Sequence, residues 1–195
     1  MARYFTKAEA KAAARAVTAH VSANEALHEA MESVQDFQSF DIFLSHAIAD
    51  AELVLGVKKL LEQQGAKVYV DWANDPQLDR SKVNAETAAL LRQRMRQSKS
   101  LVYLATEASS SKWMPWELGF FDGYQPGGVA VFPVLDKETD IFVGQEYLGL
   151  YPKVTKDKFI SGKEDVFVED SKRWTTLREF RTCSGLMPPD TSIGG

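Results

Sequence analysis

Ser45, His46, Asp71, Trp72, Trp113 and Glu117 are the residues whose types suit them to serve one ligand together. They offer a hydroxyl, an imidazole, two carboxylates and two indole rings. The set marks a ligand surface without choosing a reaction, and each member also has an ordinary structural use. A glutamate in the first turn of a helix interacts favourably with the positive end of the helix dipole and can cap. Ser45 can simply begin a loop, His46 can be a satisfied loop histidine, and Asp71 can be a turn residue. Trp113 and Trp116, flanking Pro115, can both be core aromatics.

The elements that must bring these residues together are legible from periodicity. Phe40 to Leu44 is a short apolar run with branched and aromatic residues, which reads as a buried strand. Asp50 can cap a helix carrying Leu53, Val57, Leu60 and Leu61 and ending at Gly65. Lys67 to Val70 is a second strand, followed by a polar loop from Asp71 to Arg80. A helix over Val83 to Gln97 and a strand over Ser100 to Leu104 come next. Pro115 fits the first turn of a helix reaching about Tyr124. Val129 to Leu135 is a fourth strand, Tyr147 to Tyr151 a short fifth, and Asp170 to Arg181 a terminal helix. Alternating strands and helices with short links imply a parallel sheet covered on both faces. Ligands on such sheets bind outside the carboxyl ends of the strands. The first strand ends at Ser45-His46, the second at Asp71-Trp72, the third at Ala105-Thr106, and Glu117 falls in the first turn of the helix after the third.

Residues 1–38 differ from the rest. They are alanine-rich, and Thr6 with Glu9 has the form of a capping box. They read as one long or two short helices that dock on the main domain or on another copy. Residues 39–182 form the main domain and 183–195 a flexible tail. The net charge of −4 argues against a nucleic-acid partner. Arg92, Arg94, Arg96 and Lys99 form a local basic cluster, read as a solvated helix face or a phosphate site. The single cysteine, Cys183, excludes an intramolecular disulfide, and the three histidines lack metal-ligand spacing. No run approaches the ~18 apolar residues of a membrane span, and no signal-peptide core opens the chain, so a cytoplasmic location is expected. A phosphoacceptor receiver would need acidic residues where Ser45-His46 and Ala105-Thr106 stand, and the glycine-rich phosphate loop of a dinucleotide fingerprint is missing.

Three stretches in order resemble bacterial TIR domains. Phe40-Asp41-Ile42-Phe43-Leu44-Ser45-His46-Ala47 with Asp50 resembles their opening strand and loop. Val68-Tyr69-Val70-Asp71-Trp72 resembles the strand leading into the BB loop. Ser111-Lys112-Trp113-Met114-Pro115-Trp116-Glu117-Leu118-Gly119 matches their third-helix signature, a tryptophan one turn before a catalytic glutamate. The resemblance spans roughly Phe40 to Tyr151 and is greatest to the TIR effectors of Thoeris-type antiphage defence. One departure is the BB loop, which has no glycine over Asn74 to Arg80. The resemblance implies a flavodoxin-like α/β fold: an open parallel sheet of about five strands with helices on both faces, plus the N-terminal helical extension.

It also implies NAD as substrate, with no separate cofactor and no metal. Nicotinamide leaves the pyridinium of NAD as a neutral base, so no acid is needed to protonate it, unlike the leaving group of an ordinary glycosidase. One carboxylate suffices. Glu117 would hold the ribose hydroxyls and stabilise positive charge at the anomeric carbon, or trap that carbon as a nucleophile. Phe43, Ser45, His46, Asp71, Trp72, Lys82, Trp113 and Trp116 are the implied substrate-binding residues. The products would be nicotinamide and a linear or cyclic ADP-ribose species, and the expected partners are other TIR copies and an effector that senses the nucleotide. The alternatives are a non-enzymatic TIR adaptor and a deoxyribosyltransferase-like nucleoside enzyme on a related sheet.

Overall fold

The computed structural model describes residues 3–16, 18, 39–47, 51–70, 84–106 and 111–182. The chain enters through β1 (Phe5–Thr6), and Thr6 caps α1 (Lys7–Arg15). The Thr6 hydroxyl accepts the Glu9 amide while the Glu9 carboxylate accepts the Thr6 amide, which is the capping box expected from these residue types. The alternating run then splits between two cores. In β2 (Phe40–Ser45) and β4 (Ser98–Ala105), Ile42, Leu44, Val102 and Leu104 point to one face, and Phe43, Leu101 and Tyr103 to the other. α2 (Ala51–Gln63) covers the first face, packing Val54, Val57 and Leu61 there. α3 (Ala85–Arg96) and α4 (Trp113–Tyr124) cover the second with Leu91, Met95, Met114, Leu118 and Phe121.

With β3 (Val68–Tyr69), β5 (Val129–Leu135) and β6 (Lys153–Lys158), the parallel part of the sheet runs β3-β2-β4-β5-β6. Order reverses between β2 and β4, which sets the ligand crevice of such folds at the carboxyl ends of those two strands. This is the open α/β flavodoxin-like sheet that was expected, but it is wider. An antiparallel pair, β7 (Glu164–Glu169) and β8 (Trp174–Thr176), extends it past β6. On the β6 side of β5, β1 pairs in parallel at Phe5↔Val134 and Thr6↔Leu135, while Arg3 bridges Lys156 of β6. The N-terminus thereby fills the fork where β5 and β6 part.

Two expected elements differ. Tyr147 to Tyr151 is not a strand: Glu146–Leu150 forms a 3₁₀ turn, and the fifth parallel strand is β6 just beyond it. Asp170 to Arg181 is not one helix either. Aromatic and branched Trp174, Thr175 and Thr176 favour the strand β8, leaving only α5 (Leu177–Phe180), capped by Thr176 and Glu179. Asp50, the expected cap of α2, lies outside the described residues, as do the BB loop, the segment 19–38 and the tail.

α1 docks on α2 through small residues. Ala10 and Ala14 are fully buried, and a Cβ built on Gly56 would stand 1.9 Å from the Ala10 carbonyl oxygen. The described part of the N-terminal segment therefore uses its alanine face inside its own chain. The basic cluster is likewise engaged: Arg94 is buried, with Nη1 donating to Gln97 Oε1 at 3.0 Å, and Arg92 and Arg96 lie over the rings of Trp116 and Phe120.

Asp41 ties three distant segments together. Its carboxylate accepts the Lys67 amide (2.9 Å), the Lys99 ammonium (2.9 Å) and the Arg181 guanidinium (2.8 Å). Partial burial alone would raise this carboxyl, but those donors outweigh it and hold it below the ordinary carboxylate range. A folded-state value below the unfolded one adds stability that is complete above about pH 4 and is lost as pH falls through the folded value. We expect Asp41→Asn to lower the urea midpoint at pH 6, and the gap from the wild type to close as pH drops below 4. A gap that stays constant with pH would show that Asp41 contributes nothing through its charge.

Candidate active site

β2 and β4 present Ser45 and Tyr103 as register partners, so both side chains leave the sheet on the face covered by α3 and α4. α4 begins beyond the carboxyl end of β4, with the Trp113 amide donating to Ser111 Oγ at 3.2 Å. Pro115 stands in its first turn, where a missing N–H forfeits no intrahelical bond. Because the helix starts at Trp113, Glu117 lies past the first turn rather than in it, and no acidic residue occupies that turn. Neither capping nor the end of the dipole explains this glutamate. Its side chain turns inward instead: Glu117 and Ser45 are both fully buried, and the Ser45 hydroxyl donates to Glu117 Oε2 at 2.6 Å. That length is typical of a hydroxyl on an ionised carboxylate.

Tyr103 completes the surroundings of the carboxyl. Burial, the contact with the Tyr147 hydroxyl at 3.5 Å, and the charge of Glu117 push its phenol far above the usual range. Tyr103 therefore stays a neutral O–H at any working pH. The Tyr147 hydroxyl in turn donates to Gln145 Oε1. These tyrosines were missed in the sequence, although the alternation that turns Ser45 to one face turns Tyr103 to the same face.

His46 is buried, and its Nδ1 lies 2.8 Å from the Leu44 carbonyl oxygen. A carbonyl only accepts, so Nδ1 carries a proton and donates it to Leu44. Trp113, one turn before Glu117, is 6% exposed and meets Trp116 edge-on at 5.4 Å. Trp116 itself is turned toward α3, where Arg92 lies over it, and stacks on Phe120 at 5.9 Å. Phe43 is buried in a stack with Tyr69 beneath the rim. Asp71, Trp72 and Lys82 lie outside the described residues. A cleft of about 440 Å³ opens at the carboxyl ends of β4 and β5, lined by Tyr103 and Thr106 from the sheet side and by residues 141–145 and Leu148.

A flavodoxin-ordered sheet with a buried carboxyl at its switch point, carried on the helix after the third strand of the parallel core, agrees with the fold that the resemblance to TIR domains implies. A Bacillus cereus (strain MSX-D12) protein named "Probable 3' cyclic ADP-D-ribose synthase ThsB'" is 51% identical over 137 residues, covering 69% of this chain and 70% of its own length. A Cytobacillus dafuensis protein named "Putative cyclic ADP-D-ribose synthase TIR2" is 31% identical over 90 residues, covering 45% of this chain and 24% of its own length. No family model matches the chain. On the strength of the first relative, the chain belongs to the bacterial TIR-domain proteins of the Thoeris type.

Proposed function

We propose that this chain breaks the nicotinamide–ribose bond of NAD at Glu117 and closes the remaining ADP-ribose unit into a cyclic nucleotide that serves as an antiphage signal. The observation that carries the reading is the buried Ser45–Glu117 pair at the switch point, joined to relatives named as cyclic ADP-D-ribose synthases. An adaptor working only through TIR–TIR contacts has no use for a carboxyl sunk into its crevice.

Glu117 stabilises the charge that develops at the anomeric carbon as neutral nicotinamide departs. Ser45 aims that carboxylate, Trp113 walls the nicotinamide ribose, and Asp71, Trp72 and Lys82 are assigned to substrate binding. An atom of the adenosine half then bonds to the anomeric carbon and releases a proton; one NAD becomes one cyclic product, one nicotinamide and one proton. The 3′ linkage named for the Bacillus cereus relative is the isomer expected here. No helix among the described residues is long and apolar enough to cross a membrane, and we place the reaction in the cytoplasm. The protein acts with further copies of itself, through surfaces other than the face α1 already buries on α2, and its product acts on a downstream effector.

The test is chromatography of NAD incubated with concentrated protein, with and without infected-cell lysate. Nicotinamide release is expected, and none under any condition would move the reading to the adaptor. Ser45→Ala should lower kcat roughly ten- to hundredfold with little change in KM, since a hydrogen bond to a charged group contributes roughly 1.5–3 kcal/mol. Wild-type kcat in this variant would remove the aiming role.

A further inference from the structure

We infer that the cleft between the carboxyl ends of β4 and β5 and the segment 141–148 receives the adenine end of NAD, folding the dinucleotide so that its adenosine half meets the anomeric carbon. The inference rests on the proposed NAD reaction and adds the place where the substrate's far end sits.

The cleft has the size and surface for a base. Its volume of about 440 Å³ lies within the ~300–1,000 Å³ common for small-molecule sites. No charged side chain lines it among the described residues, which suits a neutral aromatic ring and not a pyrophosphate. Its wall is shaped by one inward ring: Phe142 packs so close over Gly144 that a Cβ there would stand 2.4 Å from the ring. With Phe142 turned in, its neighbours Ile141 and Val143 project at the cleft, 85% and 88% exposed. Two branched aliphatic side chains left in water at the lip of a concave site are what a flat apolar ring would cover. Gln145 supplies the polar contact. Its Oε1 already accepts the Tyr147 hydroxyl, which leaves the amide N–H₂ for the acceptor nitrogens of adenine.

The cleft also adjoins the chemistry. Tyr103, which lines it, is the register partner of Ser45 on the neighbouring strand, and Ser45 holds Glu117. A base held here keeps its ribose near the reacting carbon and excludes water, and both conditions are needed for closure rather than hydrolysis.

The experiment compares wild type with Val143→Asp and Ile141→Asp, using Ile160→Asp, exposed on another part of the surface, as the control. Circular dichroism establishes that each variant is folded. With NAD, both cleft variants should show a KM raised several-fold and a cyclic share of product reduced at least threefold, the linear share rising to match. Ile160→Asp should give the wild-type ratio. Adenosine monophosphate binding, followed by NMR titration, supplies a readout independent of turnover: wild type and Ile160→Asp should bind it and the cleft variants should not. Unchanged product ratio and KM in the cleft variants, or equal or absent adenosine monophosphate binding throughout, would overturn the assignment. Absent nicotinamide release by wild type would instead count against the proposed reaction, and the titration would still decide the cleft.

Discussion

Glu117→Gln is expected to reduce nicotinamide release from NAD by roughly 10²–10³-fold or more, the scale on which removing one electrostatic stabiliser acts. The substitution keeps the size of the side chain and an oxygen to accept the Ser45 hydroxyl, so the buried pair survives in neutral form. What disappears is the negative charge facing the anomeric carbon. Because the pair is preserved, circular dichroism and the thermal midpoint should stay close to those of wild type. Loss of activity together with loss of fold would leave Glu117 a structural residue. Activity within a few-fold of wild type would end its assignment as the catalytic carboxylate.

Gly56→Ala sets two effects against each other, and their magnitudes decide the sign. In a helix interior alanine is favoured over glycine by about 1 kcal/mol. A methyl at Gly56, however, would stand 1.9 Å from the Ala10 carbonyl oxygen, and backbone oxygen cannot rotate away. α1 must separate from α2, exposing Ala10 and Ala14 and pulling on the β1–β5 pairing. Overpacking of this kind costs about 1–3 kcal/mol and here involves a whole helix, so the clash wins. The urea midpoint and thermal midpoint should both fall, the latter by several degrees. Gly119→Ala, in the middle of α4 with nothing within 4 Å of its added Cβ, should instead be neutral or mildly stabilising. Stabilisation by Gly56→Ala would mean that α1 does not lie against α2 in solution.

How far the sequence could be read follows from where its signals are concentrated. The strand ending at Ser45 and the stretch Ser111 to Gly119 combine strong apolar patterning with distinctive residues, and the parallel core assembles as its alternation implies. β6 was hidden because Lys153, Lys156 and Lys158 interrupt its run, although Val154 and Thr155 are buried. β1 is two residues long, too short to carry a period, and its pairing with β5 is visible only in three dimensions. The docking face of α1 gives little apolar signal because alanine contributes little area, yet its small size is what permits the close approach to Gly56. The placement of Glu117 was off by part of a turn: Pro115 sits in the first turn as expected, but the helix already starts at Trp113. That shift moves Glu117 from a position where capping would explain it to one where its buried contact with Ser45 must.

The most direct test of the account is the mass of the product formed from NAD in ¹⁸O-labelled water. Closure by an atom of the adenosine half predicts a product lighter than ADP-ribose by one water and carrying no label, released one for one with nicotinamide. A product carrying one ¹⁸O, with no unlabelled cyclic species beside it, would contradict the account and make the chain a hydrolase that depletes NAD.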